Sequence, residues 1–295
     1  MLVDKPAAMT SHDVVQRVRR VLGTRAAGHT GTLDPFATGL LVVLVGRATR
    51  LARFVEGRSK TYLAMARLGV RTDTDDLTGQ VIGTSETGGM VAESRVREAL
   101  TAFLGTQLQR PPQYSAKHVG GERSYQKARR GEAVALADVS VTVESTELVD
   151  YQPPLLTFRV VVSAGTYVRA IARDLGDRLE VGAHLASLRR EAIGSLRVED
   201  AVPLDRLSPE SLIPAQAVLP HLRIVELDQA ARVAVLHGRP VVDSGARPEQ
   251  SSQGEVGQRG SEIVALMAGD ELVAVARTED GWLHPAVVLG TPGLA

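Results

Sequence analysis

Apolar and polar positions along the chain follow two periods, that of a strand and that of a helix. Leu40, Leu41, Val42, Val43, Leu44 and Val45 form an unbroken apolar block closed by Gly46, the pattern of a strand buried on both faces. Upstream, Val14, Val15, Val18, Val21 and Leu22 recur at helical spacing and stop at Gly23. Thr10-Ser11-His12-Asp13 precedes them as a capping box, a polar cap with an acid three residues on. The outer face of that helix carries Arg17, Arg19 and Arg20. Residues 60–70 (KTYLAMARLGV), 141–149 (VTVESTELV) and 155–163 (LLTFRVVVS) read as strands. A helix is expected over 94–104, with Val96, Leu100, Phe103 and Leu104 on one face. Another is expected over 166–179, turning Val168, Ile171, Ala172, Leu175 and Leu179 inward. The elements do not alternate as βαβ units do, so the expected class is α+β, a mixed and mainly antiparallel sheet flanked by helices.

Between these elements lie polar stretches. Residues 71–79 (RTDTDDLTG) read as a polar loop with no core to build. Residues 115–134 are basic and Gly-containing with little periodicity, like a surface excursion that orders on a partner. Residues 245–260 are rich in Gly, Gln and Ser and read as a loop. Three prolines and a charge shift within 204–220 place a boundary there, giving expected domains 1–220 and 221–295.

Composition removes several chemistries. Of 295 residues 44% are hydrophobic and 23% charged, the balance of an ordinary folded protein. With no cysteine, disulfides, thiolate catalysis and Cys-based metal sites are excluded. The seven His form no His-x-x-His or His-Glu-x-x-His pattern, so no metal site is expected. No apolar run approaches the roughly 20 residues of a membrane helix, and no signal-peptide core opens the chain, so a cytoplasmic protein is expected. Net charge is +0, yet residues 1–60 hold ten Lys/Arg against four Asp/Glu, and residues 221–295 hold six against ten. A polyanion would approach the basic front.

One acid stands apart. In GHTGTLDPFATGLLVVLVG, residues 28–46, Asp34 lies between a small-residue turn and the apolar block, directly before Pro35. A lone acid there is a turn former or a nucleophile, and turn chemistry by itself favours the former.

Several blocks read together change that balance: DKPAAMTSHDVV at 4–15, GHTGTLDPFATGLL at 28–41, SKTYLAMARLGVRTDTDD at 59–76, RPPQYSA at 110–116, and GTYVRAIARDLG at 165–176 leading into SLRREAIG at 187–194. In order and spacing they resemble the TruB-type tRNA pseudouridine synthases over most of residues 4–200. The resemblance implies an enzyme that converts the uridine at position 55, in the T loop of tRNA, to pseudouridine on a flipped-out nucleotide. It implies that Asp34 is the catalytic carboxylate. Tyr62 matches the tyrosine that stacks on the base, where local pattern alone reads a core tyrosine. Arg169 matches the arginine that pairs with the acid, where the local reading is a solvated first-turn arginine, disfavoured there by about 0.3–1 kcal/mol. Tyr167 and Leu188 match pocket-lining positions, and His29 a residue of the RNA-binding turn. Residues 115–134 correspond to a thumb-like insertion, and 221–295 resemble a small PUA-type RNA-binding barrel, with a helix at 228–237 and then short strands. The reaction needs no redox change, phosphate energy or metal, so no cofactor is expected. The T arm of tRNA is the expected partner, bound by a monomer without a protein partner or a membrane.

Three other readings fit parts of the pattern. Guide-RNA-dependent relatives share the acid motif but usually carry longer tails and lack the thumb insertion. An aspartyl-phosphate enzyme would place the acid before, not after, the Thr-Gly-Thr of residues 30–32. A non-catalytic tRNA chaperone could use the same fold.

Overall fold

The computed structural model describes residues 1–114, 118–119, 122–123, 130, 136–243 and 262–290. Strand β1 (Leu2–Lys5) leads into helix α1 (Ser11–Val21). The Thr10 hydroxyl accepts from the Asp13 amide and the Asp13 carboxylate from the Thr10 amide, satisfying two donors that a helix start leaves open. The helix buries Val14, Val15 and Val18 against Val3, Leu41 and Val43. After β2 (Ala27–His29) comes β3 (Thr38–Val45), the apolar block, buried from Gly39 through Leu44. Leu41 and Val43 face α1, whereas Leu40, Val42 and Leu44 enter a second core on the opposite side. A strand covered on both faces has no use for alternation, which is why its sequence is continuous.

The short helix α2 (Ala52–Glu56) precedes β4 (Lys60–Leu68), and β5 (Val70–Thr72) and β6 (Val81–Thr84) form a hairpin. Helix α3 (Glu93–Thr101) and β7 (Gly105–Gln109) follow. The expected insertion at 115–134 lies outside the described residues apart from residue 130 and a small ribbon of β8 (His118–Val119) and β9 (Glu122–Arg123). Then come β10 (Val139–Gln152), β11 (Leu155–Val162), α4 (Val168–Arg178), β12 (Ala183–Ile193), β13 (Leu196–Arg197) and β14 (Val202–Pro203).

The main sheet has ten strands, its principal path running β14-β1-β3-β12-β4-β11-β10-β7. The β14–β1 and β12–β3 pairs are parallel and the other neighbours antiparallel, as the α+β expectation required. Strand β12 thus enters between β3 and β4. Its approach to β3 depends on Gly39, at φ +103, where a Cβ would stand 2.3 Å from the Arg190 carbonyl oxygen. Helices α3 and α4 cover the β4 and β11 face with Val96, Leu100, Ile171 and Leu175. Helix α3 ends three residues short of the expected 104, so Leu104 leaves the apolar face and is 49% exposed.

The second sheet has the order β15-β17-β18-β19-β16, from β15 (Arg223–Glu226), β16 (Val241–Val242), β17 (Ile263–Ala268), β18 (Glu271–Glu279) and β19 (Trp282–Val288). Helix α5 (Gln229–Leu236), capped by Asp228, packs on it through Val235. The expected loop at 245–260 lies outside the described residues. Ala265, Met267, Leu272, Val275, Val287 and Leu289 share one core with Leu2, Leu40, Val42 and Leu44 of the main sheet. Arg47 and Arg50 donate across the same seam to the carbonyls of Leu289 and Val288, at 3.0 and 2.7 Å.

Candidate active site

Asp34 sits on a turn tied down from two sides. Ser11, the first residue of α1, accepts from the Leu33 amide at 2.8 Å and donates to the Leu33 carbonyl at 3.2 Å. Lys5, at the end of β1, is fully buried beneath the turn. Its ammonium donates to the carbonyls of Pro6, Met9 and Pro35 at 2.9, 2.7 and 3.3 Å. Burial pulls its pKa down to about 8, against the charge of Asp34.

The carboxylate of Asp34 meets Arg169, on the first turn of α4. Nε lies 2.9 Å from Oδ2, and Nη2 donates to Oδ1 at 3.2 Å, a two-pronged pair. The same guanidinium lies 3.3 Å from Asp76 Oδ2 and donates to the carbonyls of Thr74 and Tyr114, each at 3.0 Å. Arg169 is 5% exposed and not the solvated residue that its helix position alone suggests, because two acids distant in sequence neutralise it. The Asp34 side chain keeps 32% exposure. Burial holds its carboxyl above the ordinary value of 3.8, Arg169 pulls it back and Asp76 pushes it further up.

Residues 71–79, expected as a loop without a core, are the second support of the site. Asp76 is 4% exposed, and its Oδ1 accepts from the Thr74 hydroxyl, the Thr78 amide and the Thr78 hydroxyl, at 2.9, 2.9 and 2.6 Å. One helical turn beyond Arg169, Arg173 pairs with Asp75 at 3.0 Å. A polar loop buries itself here because hydrogen bonds and ions replace the apolar contacts it lacks.

Around Asp34 opens a cleft of about 450 Å³. His29, Tyr62, Tyr167, Arg169 and Leu188 line it with Asp34, so all six residues singled out in the sequence come together. Tyr62 and Leu188 are also buried, so the local core reading and the pocket reading both hold for them. Gln109 fixes the backbone of Tyr167, accepting from its amide at 2.8 Å and donating to its carbonyl at 3.1 Å. Burial, with Arg190 and His12, lowers the pKa of His29, and its Nδ1 is buried without a partner. Sequence reading missed Asp76, and also Lys60 and Arg190, which line the cleft as well. The signal was present: Lys60 shares the inward register of β4 with Tyr62, and Arg190 shares that of β12 with Leu188.

The mixed sheet thus seats an arginine-paired carboxylate, Asp34, in a cleft whose wall carries two tyrosines, Tyr62 and Tyr167. A model of the TruB family pseudouridylate synthase (N terminal domain) matches residues 19–168. The tRNA pseudouridine synthase B of Burkholderia mallei is 40% identical over 294 residues, covering 97% of this chain and 94% of that protein. That of Gloeobacter violaceus is 41% identical over 299 residues, covering 98% of each. Among solved structures, a chain in the crystal structure of a Cbf5-Nop10-Gar1 complex superposes with a TM-score of 0.71 at 26% identity, over 99% of this chain and 85% of that one. The chain belongs to the TruB family of pseudouridylate synthases. Among the described residues no helix is long and apolar enough to cross a membrane.

Proposed function

We propose that the protein isomerises the uridine at position 55 in the T loop of tRNA to pseudouridine, with Asp34 as the catalytic carboxylate. The observation that carries the reading is the Asp34–Arg169 pair at the wall of a cleft lined by Tyr62, Tyr167 and Leu188. In the reaction the bond from N1 of uracil to ribose C1′ breaks and a bond from C5 to C1′ forms. The proton leaves C5 and N1 gains one, so the product is an isomer of the substrate. A carboxylate suits chemistry at a glycosidic carbon. Arg169 keeps Asp34 ionised and aimed, while Tyr62 stacks on the flipped base. His29 holds the space around the extruded nucleotide, and Tyr167 and Leu188 enclose the uracil so that it turns without leaving. Residues 1–220 act as the catalytic domain, with 115–134 folding over the T arm, and residues 221–295 act as a PUA-like RNA-binding domain. The enzyme works as a monomer on the T arm.

The test is a tRNA transcript tritiated at uracil C5. Incubation with the protein releases tritium to water, one equivalent per tRNA, and replacing the target uridine by cytidine abolishes the release. Release that survives the replacement moves the substrate site; no release from any RNA refutes the catalytic reading.

A further inference from the structure

Two cations of the cleft, Lys60 and Arg190, have no ion-pair partner among the described residues. Lys60 comes from β4 and Arg190 from the adjacent β12, whose register sets Arg190 opposite Tyr62 and Lys60 opposite Ile193. Lys60 is 8% exposed and Arg190 1%, and both line the cleft that holds Asp34. The Lys60 ammonium donates to the carbonyls of Glu56 and Arg58 at 2.8 and 2.7 Å, which leaves one N–H. Arg190 donates from Nε to the Leu40 carbonyl at 2.7 Å and from Nη2 to the Gly31 carbonyl at 3.1 Å, which leaves both N–H of Nη1 and one of Nη2. Among the described residues neither cation has a carboxylate within ion-pair distance. Glu56, exposed at the rim, acts on Lys60 only from farther away.

The two side chains converge over Gly31. At φ +116 this residue has no side chain to fill the space, and a Cβ there would meet Arg190 Nη1 at 3.7 Å and Lys60 Cε at 3.8 Å. The floor between two cations is therefore open. Buried charges of one sign are retained where an anion compensates them, because their desolvation is otherwise unreturned. The uracil carbonyls and ribose hydroxyls of an RNA are neutral; only its phosphodiesters are anionic.

We propose that Lys60 and Arg190 form a phosphate subsite that takes a phosphodiester flanking the uridine in the cleft, anchoring the backbone of the flipped nucleotide while Asp34 acts on its glycosidic bond. The inference rests on the reading of RNA as substrate. It separates two jobs within one cleft: the Asp34 end handles the sugar–base bond, and the Lys60–Arg190 end holds the strand.

The test uses T-arm stem-loops in which each loop phosphate in turn is replaced by a neutral methylphosphonate. In the wild-type protein one linkage flanking the target uridine is expected to cost on the order of tenfold to a hundredfold in affinity, the range for a lost charged hydrogen bond. Lys60→Gln should bind the unmodified stem-loop weaker, and that same methylphosphonate should cost it clearly less than it costs the wild type, Arg190 keeping the remainder of the contact. Losses that multiply, or a wild-type protein indifferent to both flanking linkages, overturn the proposal. Stoichiometric binding of inorganic phosphate together with equal binding of all the modified stem-loops assigns the pair to a free anion and also overturns it. The wild-type arm needs no variant, so it stands even if Lys60→Gln melts. Pseudouridine formation from the unmodified stem-loop is scored in the same samples. Isomerisation without the coupling fails this inference alone, and the coupling without isomerisation fails the functional reading alone.

Discussion

Replacing Arg169 by Met keeps the apolar stem of the side chain and removes its charge from between two acids. Asp34 and Asp76 lie 2.9 and 3.3 Å from the guanidinium, and at an effective dielectric near 20 each contact amounts to about 5 kcal/mol before desolvation. Breaking a buried pair from one side costs about 3–5 kcal/mol net, and the partial exposure of Asp34 favours the lower end. If about 3 kcal/mol of that stabilisation keeps the carboxylate in its reactive form, kcat falls at least about a hundredfold at neutral pH. The sign of the pH effect follows from the same geometry. Burial already raises the Asp34 pKa above 3.8, so wild-type activity falls as pH drops through that raised value. Without Arg169 the ionised form loses its partner and still faces Asp76, so the acid limb of the kcat profile moves to higher pH. Single-turnover isomerisation across pH measures both effects, with thermal melts and stem-loop affinity as controls. A folded Arg169→Met variant within fivefold of wild-type kcat, or an acid limb that moves down, would refute the reasoning.

Asp34→Asn should abolish turnover while leaving tRNA affinity within a few-fold, measured by filter binding; residual activity above a few per cent would contradict it. Gly39→Ala places a methyl 2.3 Å from the Arg190 carbonyl oxygen at φ +103 and should lower Tm by roughly 10 °C. An unchanged melt would mean that β3 and β12 separate at little cost. Ending the chain after residue 221 bares Leu2, Leu40, Val42 and Leu44, which now pack on Met267, Leu272 and Val287. The shortened protein should aggregate or melt well below the intact one, and a wild-type Tm would refute that. Exhaustive EDTA treatment should leave isomerisation intact on a tRNA refolded separately, and rescue by one transition metal alone would overturn it.

Elements whose cause is local were legible in the sequence. The Thr10–Asp13 box and the 40–45 block appear in the structure where pattern placed them, since a cap and a doubly buried strand each follow from neighbouring residues. Arg169 was different. Its burial depends on Asp34, 135 residues away, and on Asp76, so no helical periodicity could reveal it. The 71–79 segment misled for a related reason: turn chemistry is the same whether a loop faces water or an ion pair. For Lys60 and Arg190 the alternation carried the information, but a charged residue in an inward register reads as an irregularity until its neighbour across the strands is known.

The insertion of β12 between β3 and β4 also orders events in time. These two strands are close in sequence, yet neither can complete its ladder until residues 183–193 exist. The Arg190–Leu40 hydrogen bond joins positions 150 residues apart. At synthesis rates of roughly 5–20 residues per second, Leu40 waits on the order of ten seconds for its partner. During that interval the apolar 40–45 segment is a strand without a neighbour on one side, open to pairing with other chains. The last long strand of the sheet to be made is thus the one that both closes this edge and brings Leu188 and Arg190 to the cleft. A nascent chain interrupted before residue 183 would hold Asp34 and Tyr62 without the strand that joins β3 to β4.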